Sequence, residues 1–446
     1  MHKVDGTLKQ SFRDTIINKI QSKSATLGVI GLGYVGLPLS VEKAKVGFRV
    51  VGFDVQQARV DMVNRGVNYI GDVVDAELKG LVQSGQFQAT TDYSLLNDVD
   101  VVSICVPTPL DQYQQPDISY VQASAREVAR HLHPGMLVVL ESTTYPGTTD
   151  EIVRPILEET GLRCGEDFFV AYSPERVDPG NKQFKTKNTP KVVGGVTETC
   201  GKVAAALYQQ VLEGQVHVVS SPAVAEMEKI LENTFRNINI ALVNEMAILC
   251  NRMNIDIWEV IDAAKTKPYG YMAFYPGPGL GGHCIPIDPW YLTWKAREYN
   301  YHTRLIEVAG EINNSMPEFV VERIGSILND EAKSVRNSTV YLLGVAYKKD
   351  IDDYRESPVV TIMELLKNKG ANVIYSDPKI PAFRYKGNAY EAVPLTKENL
   401  RDADIVVITT DHSDFDYDEI GQQARVLFDT RNAMNGRKTA HTYHRL

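Results

Sequence analysis

Short runs of consecutive apolar residues, each closed by a glycine or an acid, alternate with helical periodicity through the first third of the chain. Leu27-Gly28-Val29-Ile30 predicts a strand that turns at Gly31-Leu32-Gly33-Tyr34-Val35-Gly36 into a helix. Arg49–Phe53 predicts a second strand, ending at Asp54, and Asp100–Val106 and Leu137–Leu140 predict two more. Strands apolar on both faces fit a parallel sheet covered by helices on both sides. Phe12, Ile16, Ile17 and Ile20 predict a short amphipathic helix within residues 1–25, ahead of a polar linker.

The middle of the chain has a different rhythm. Ser221-Pro222 is a helix start, and a helical pattern runs from it to about Asn251 without a breaker. That is long for a globular helix, and suits a connection between two sheets or a dimer interface. A second helix is predicted near Ile257–Ala264, before the Gly/Pro-rich run Tyr275–Gly282. The last third repeats the first: Val340–Gly344, Ala371–Asp377 and Asp402–Ile408 parallel the runs entering Gly31, ending at Asp54 and starting at Asp100. This predicts an α/β chain of two doubly wound, Rossmann-like domains joined by a long central helix. The expected divisions are residues 1–25, a nucleotide-binding domain at 26–215, a central helical region at 216–325 and a second α/β domain at 326–446. In the second copy Val345–Lys349 stands in place of the glycine run, which argues against a second dinucleotide site. Lys348 and Lys349 suit another phosphorylated ligand, or are a solvated basic turn.

At 446 residues and 43% hydrophobic, the chain can bury sizeable cores. A formal net charge of -9 disfavours nucleic acid or an anionic membrane surface as a partner. No apolar signal core and no apolar run of spanning length occur. Five scattered cysteines without a C-x-x-C pair indicate neither a disulfide framework nor a metal site. These features together predict a cytoplasmic protein.

The glycine run follows a strand, opens a helix and is trailed by an acid at a strand end, which is the context of a dinucleotide fingerprint. Gly31 permits the tight turn, Gly33 admits the pyrophosphate and Gly36 allows close helix packing. Asp54 is suited to the adenosine ribose hydroxyls and would repel a 2′-phosphate, predicting NAD over NADP, although Arg59 is placed to accommodate one. Val106–Pro109, with Thr108, and Glu141–Gly147, with Thr143 and Thr144, follow strands at the ligand-binding end of such a sheet. Glu175, in a turn-rich stretch with Arg176, is a candidate base; an isolated loop Glu is more often solvated. Glu226, Lys229 and Asn233 share one face of the long helix. Lys229 and Asn233 are placed to donate to an oxyanion, or Glu226 and Lys229 simply pair. Finally, Cys284 lies in Gly281-Gly282-His283-Cys284-Ile285-Pro286-Ile287-Asp288. A thiolate beside a nicotinamide can capture an aldehyde, present the adduct to a second oxidation and leave a thioester for water. That combination points to oxidation of a primary alcohol to an acid.

Taken with Lys348-Lys349-Asp350 and Arg355-Glu356-Ser357, these runs make the chain resemble the UDP-glucose/GDP-mannose dehydrogenase family over nearly its full length. Within it, Glu141–Gly147, Ser173–Asn181 and Tyr275–Pro289 are most similar to bacterial UDP-N-acetylglucosamine 6-dehydrogenases of surface-polysaccharide pathways. The resemblance implies an NAD-dependent oxidation of C6 of a UDP-N-acetylhexosamine to the uronic acid, with UDP-glucose and the N-acetylgalactosamine and N-acetylmannosamine nucleotides as rivals. A non-catalytic sensor of NAD and nucleotide sugar is a weaker alternative. Cys284 then matches the nucleophile, Lys229 and Asn233 the oxyanion pair, and Asp288 the acid working with water or Lys229. Thr144 and Glu175 match residues that place the water. Gly31, Gly33, Tyr34, Val35, Gly36, Asp54, Arg59, Thr108, Thr143 and Arg355 fall on the cofactor side. Glu175, Arg176, Lys229, Asn233, Tyr275, Gly277, Gly279, Gly281, Lys348 and Arg431 fall on the substrate side. The family dimerises through the central helix and can borrow a basic residue from the partner, for which Lys267 is an approximate match. Two positions depart from the UDP-glucose enzymes: Pro179 replaces a second acid and Ile287 a lysine. Both changes would widen or depolarise the pocket around sugar C2.

Overall fold

A computed structural model describes residues 11–446, apart from 72, 112, 179, 180 and 182. The chain forms two compact units. The first ends at Glu232 and takes back Trp294–Tyr299; the second takes Asn233–Thr293 and Asn300–Leu446. The boundary falls inside the long helix, which runs Pro222–Met253.

The first unit is built on eight strands: β1 Thr26–Ile30, β2 Arg49–Phe53, β3 Phe87–Thr90, β4 Val101–Ile104, β5 Leu137–Leu140, β6 Phe169–Tyr172, β7 Lys191–Gly195 and β8 Val216–Val219. Their order is β3-β2-β1-β4-β5-β6-β7-β8, parallel except for the antiparallel β6–β7 pair. Ile30 of β1 sits opposite Phe53 of β2 and Ile104 of β4, so the strand order reverses beside the residue that enters Gly31. Crevices at such reversals receive ligands in doubly wound sheets. Strands β4, β5 and β6 are buried along their whole length, as their unbroken apolar runs require. The amphipathic helix near the start spans Phe12–Gln21 and buries Ile16 and Ile20; the part of that expectation before residue 11 lies outside the described residues.

In the second unit, β9 Thr339–Leu343, β10 Asn372–Ser376, β13 Ile405–Ile408, β14 Val426–Asp429 and β15 Thr442–Arg445 form a parallel sheet in the order β10-β9-β13-β14-β15. A small antiparallel hairpin, β11 Ala382–Tyr385 with β12 Asn388–Glu391, stands apart from it. A helix not foreseen from the sequence runs Arg304–Asp330 through Pro317, burying Met316, Val320, Ile324 and Ile327.

The duplication seen in sequence extends to individual hydrogen bonds. Asp100 accepts the Thr26 N–H at 2.9 Å and the Lys19 ammonium at 2.6 Å; in the second unit Asp404 accepts the Thr339 N–H at 2.7 Å and the Lys333 ammonium. Each acid therefore pins the start of its unit's first strand. It is also why the predicted strand from Asp100 begins one residue later. At the other end of that strand, Asp54 accepts the Leu32 N–H at 3.0 Å, and Asp377 accepts those of Val345 and Ala346 at 2.7 and 3.1 Å. One expectation needs correction: the second copy lacks two of the fingerprint glycines, not three. Gly344 takes the place of Gly31, with φ of +89° against +91°. A Cβ on either would lie 2.6–2.7 Å from a backbone carbonyl oxygen, of Cys105 or of Thr410, so both sites demand glycine.

Asp377 also accepts the N–H groups of Lys379 and Ile380 and faces Nε2 of the buried His412 at 3.2 Å. Asp377→Ala strands these amides away from water, so chemical denaturation should show a loss of about 3 kcal/mol. A loss within measurement error would mean that solvent satisfies the turn.

Candidate active site

The fingerprint loop of the first unit is shaped by contacts that a side chain would break. A Cβ on Gly36 would meet the Gly31 carbonyl oxygen at 1.8 Å, whereas one on Gly33 would meet nothing within 4 Å. Close packing at one glycine and open space at the other are what a pyrophosphate lying over the loop requires. Asp54 is buried, accepts the N–H groups of Leu32 and Gln56, and has Arg59 at 3.5 Å. Its carboxylate therefore holds the loop. Tyr69, which sequence reasoning missed, donates to the Leu32 carbonyl at 2.6 Å, and burial pushes its hydroxyl up to about 12. Tyr34 is half-exposed, and Val35 and Gly36 start the helix Gly36–Lys45.

The hydroxyl-rich loops after β4 and β5 are tied together. Thr108 donates to the Thr143 carbonyl at 2.7 Å and Ser142 to that of Val106 at 2.8 Å. Thr144 is buried, and its hydroxyl has no hydrogen-bond partner among the described residues. A buried unpaired hydroxyl at a strand end calls for a ligand or water. Glu226 does not pair with Lys229. It is fully buried and accepts the N–H of Gly147 at 2.6 Å and the N–H and hydroxyl of Thr149 at 2.9 and 2.7 Å. The long helix thereby anchors the Glu141–Gly147 loop. Lys229, one turn on, is buried as well.

Glu175 folds back on its own loop. One carboxylate oxygen accepts the N–H groups of Arg176 and Val177, both at 2.9 Å, and the other faces Lys191 at 3.5 Å. Arg176 is engaged by Glu232 and, at 3.3 Å, by Glu228. Behind Glu175 lies a charged cluster invisible in the sequence. Glu141 accepts from Lys191 at 2.9 Å, from the Tyr208 hydroxyl at 2.6 Å and from Ser103 at 3.1 Å, and Ser103 accepts from the buried Lys43 at 2.7 Å. Burial opposes charge at both Glu141 and Lys191. Their mutual attraction nonetheless holds the acid below its usual range and the lysine above. Lys43, with a weaker hold on Glu141, is lowered by burial.

In the second unit the Cys284 thiol is exposed. Its carbonyl accepts the N–H groups of Ile287 at 3.1 Å and Asp288 at 2.8 Å, a turn that leads into the helix Asp288–Ala296. Asp288 is buried and accepts from the Asn233 amide at 2.5 Å. Asn237 donates to the Ile285 carbonyl at 3.0 Å. Asn244 accepts the Gly277 N–H at 3.1 Å and donates to Asn313 at 2.9 Å, which in turn donates to the Asn237 carbonyl. Asn237, Asn244 and Asn313 were not singled out from sequence, where a mid-helix asparagine reads as a solvent-facing residue.

The glycines of this loop are again contact positions. A Cβ on Gly279 would lie 2.7 Å from Pro358, and one on Gly281 2.6 Å from Tyr347 and 2.9 Å from the Glu356 carbonyl. Gly277 abuts the Arg431 guanidinium, which donates to the Thr409 carbonyl at 3.0 Å. Tyr275 stacks on Trp258. Arg355 makes a two-pronged pair with Asp353, at 2.9 and 2.7 Å, and His283 shares that carboxylate at 2.8 Å. Although burial works against it, these two partners hold Asp353 well below the usual carboxylate range. Lys348 is half-buried in the turn after Gly344, Ile287 lies in the turn after Cys284, and Pro179 lies outside the described residues.

Family models match the chain in three consecutive parts: the NAD binding domain of the UDP-glucose/GDP-mannose dehydrogenase family over residues 25–212, its central domain over 223–315 and its UDP binding domain over 341–436. The chain belongs to this family. It is an NAD-dependent UDP-sugar dehydrogenase by family. A UDP-N-acetyl-D-glucosamine 6-dehydrogenase of Pseudomonas aeruginosa is 36% identical, with 94% of this chain and 99% of that protein covered. An NDP-N-acetyl-D-galactosaminuronic acid dehydrogenase of Ralstonia nicotianae is 35% identical, with 93% and 97% covered. Among solved structures, the UDP-D-ManNAc dehydrogenase of Pyrococcus horikoshii superposes with a TM-score of 0.86 at 33% identity, covering 94% and 98%. These relatives differ in the sugar they are named for, so family membership leaves the hexosamine open. The dehydrogenase fold, its two parallel sheets and its NAD cofactor accord with the sequence reading, and the open Gly33 and packed Gly31 and Gly36 fit that cofactor. Among the described residues no helix is long and apolar enough to cross a membrane.

Glu226 gives this dehydrogenase a testable pH response. Burial raises its carboxyl from 4.5 to about 7, so the folded state holds that proton more tightly than the unfolded chain. The contribution is complete below pH 4.5 and is lost as pH rises through about 7. Wild-type Tm should therefore fall over this window relative to Glu226→Gln, whose carbonyl still accepts from the loop. Parallel Tm-against-pH curves for the two proteins would contradict the assignment.

Proposed function

We propose that this chain oxidises C6 of UDP-N-acetylglucosamine to the uronic acid, reducing two NAD per sugar, for surface-polysaccharide synthesis in the cytoplasm. The observation that carries the reading is the exposed Cys284 thiol on a turn closed onto Asp288, with Asp288 held by Asn233. In this reading residues 26–215 bind the cofactor, 216–325 carry the nucleophile and 326–446 bind UDP. The cofactor, held by Gly31–Gly36, Asp54, Thr108 and Thr143, supplies the hydride acceptor. Thr144 and Glu175 position the water that removes the C6 hydroxyl proton. The Cys284 sulfur then adds to the C6 aldehyde, forming a C–S bond, and Lys229 and Asn233 donate to the resulting oxyanion. After the second oxidation the C6–sulfur adduct is a thioester. Water, with Asp288 and Glu175 accepting its proton, breaks that bond and returns the thiol. Gly277, Lys348 and Arg431 hold the UDP phosphates and base. The N-acetyl sugar is supported by the names of the relatives and by Ile287, an apolar residue in the turn where the UDP-glucose enzymes carry lysine. The same chemistry on the N-acetylmannosamine or N-acetylgalactosamine nucleotide is the reading that relatives with those names support.

Purified protein, NAD and a panel of UDP-sugars decide the substrate: two NADH per UDP-N-acetylglucosamine consumed, with slower turnover of the epimers and of UDP-glucose. Faster turnover of an epimer reassigns the sugar, and binding without NADH would identify a sensor. Cys284→Ala should cut uronic acid formation by at least about 10³-fold while leaving NAD affinity within a few-fold. Near-normal acid yield from that variant would rule out a covalent intermediate.

The long helix also exposes Val224, Met227, Leu231, Phe235, Leu242, Met246, Leu249 and Met253, and the partly exposed Ile238 completes their three- and four-residue spacing between Phe235 and Leu242. A continuous apolar stripe of this kind supports a homodimer packed along the helix, as the family resemblance implies. Leu242→Glu with Met246→Glu should shift sedimentation from dimer to monomer, with the circular dichroism of the folded chain retained. An unchanged sedimentation coefficient would place the interface elsewhere.

A further inference from the structure

Two cysteines that take no part in the chemistry above lie side by side. Cys164 bridges to Phe168 just before β6, and Cys200 occupies the first turn of the helix Glu198–Val211; their sulfurs are 3.8 Å apart. They are 36 positions apart in sequence, so no local motif announces them. Cys200 is buried and Cys164 is partly exposed. The Cys200 sulfur receives the Thr197 hydroxyl at 3.2 Å and the Val170 N–H at 3.4 Å, and shares a hydrogen bond with the Cys164 sulfur. It also lies at a helix N-terminus, where negative charge is favoured. Hydrogen bonding from Cys164, followed by these other donors, brings the Cys200 thiol down to about 6 against burial, while Cys164 is raised. The two sulfurs thus share one proton over 3.8 Å, so that the pair carries one thiolate, and Cys164 is the member that solvent reaches.

We propose that Cys164 and Cys200 form a modification site for hydroperoxides and close to an intramolecular disulfide. The accessible Cys164 sulfur, its proton passed to the Cys200 sulfur 3.8 Å away, attacks one peroxide oxygen as the thiolate; an S–O bond forms, the O–O bond breaks, and the departing hydroxide takes that proton back from Cys200 and leaves as water. The Cys200 thiolate then attacks the Cys164 sulfur, forming the S–S bond and expelling hydroxide, which takes a proton from solvent to become a second water. The two thiols are oxidised by two electrons and the peroxide is reduced by two. A disulfide is about 2 Å long, so closure asks for less than roughly 2 Å of sulfur movement, within reach of a side-chain rotation at Cys164. The bridge would enclose the Ser173–Arg176 loop within a covalent ring. None of this depends on the catalytic role of Cys284 or on the sugar oxidised.

The test uses the full chain carrying Cys284→Ala, so that the exposed thiol does not compete. Treatment with excess hydrogen peroxide, alkylation of residual thiols and peptide mapping should yield a peptide pair joined through Cys164 and Cys200 that a reductant separates. In the reduced protein a single thiolate should appear in the ultraviolet titration near pH 6 and be absent from Cys200→Ser. Cys164→Ala should abolish the linked pair and move that titration up toward the ordinary thiol range. Recovery of both cysteines singly alkylated after peroxide would overturn the proposal. So would a Cys200 titration that Cys164→Ala leaves in place.

Discussion

A loop beyond a strand end has no neighbouring strand, so its amide groups must be satisfied by something else, and at four loops of this chain that something is a buried side chain. Asp54 takes the amide after Gly31, Asp377 its counterparts after Gly344, Glu226 those of Gly147 and Thr149, and Asn244 that of Gly277. Asn237 supplies the complementary donor to Ile285, next to Cys284. Three of these side chains, Glu226, Asn237 and Asn244, project from the single helix Pro222–Met253. Within the first unit Glu226 fixes the loop of the candidate hydroxyls, and within the second Asn237 and Asn244 fix the segment around Cys284 and Gly277.

Much of the fold is legible because a parallel strand buried on both faces has to be written as an apolar run. Thr26–Ile30, Arg49–Phe53, Leu137–Leu140 and Thr339–Leu343 all announce themselves in this way, as do the long helix and Ile257–Ala264. What escaped notice has physical reasons. Val216–Val219 is a half-exposed edge strand with a histidine in it, so it lacks the signature of its interior neighbours. The helix Arg304–Asp330 is interrupted in sequence by Asn313-Asn314-Ser315 and Pro317, which read as a break; yet Asn313 is buried and spends its amide on Asn237.

The candidate site was legible to a different degree. Residue types that only chemistry explains, such as an exposed cysteine among glycines or an acid after a fingerprint, stand out. Residues that act by supporting others do not. Lys43 sits in a helix as any surface lysine would, and Glu141 and Lys191 lie 50 positions apart, so nothing local shows that they neutralise one another behind Glu175. Helical spacing alone allows Glu226 to pair with Lys229. Burial decides otherwise: three donors of the Gly147–Thr149 turn offer a desolvated carboxyl more than one flexible ammonium does.

The two α/β units show how one scaffold is turned to two ligands. In both, an acid pins the first strand, and a glycine with positive φ makes the turn against a neighbouring carbonyl. Beyond that turn they diverge. The first copy keeps Gly33 open and Gly36 packed, leaving room over the loop. The second fills the corresponding places with Ala346 and Lys349, and its Tyr347 takes on a new task. Glycines reappear on the other side of that contact, since Gly281 packs against Tyr347 and Gly282, with φ of +102°, lies against its ring. The demand for close backbone approach has moved from the nucleotide turn to the cysteine loop. The tyrosine itself is common to both copies, as Tyr34 and Tyr347, so the second unit loses the glycines at Ala346 and Lys349 and keeps the ring on which the Cys284 loop rests.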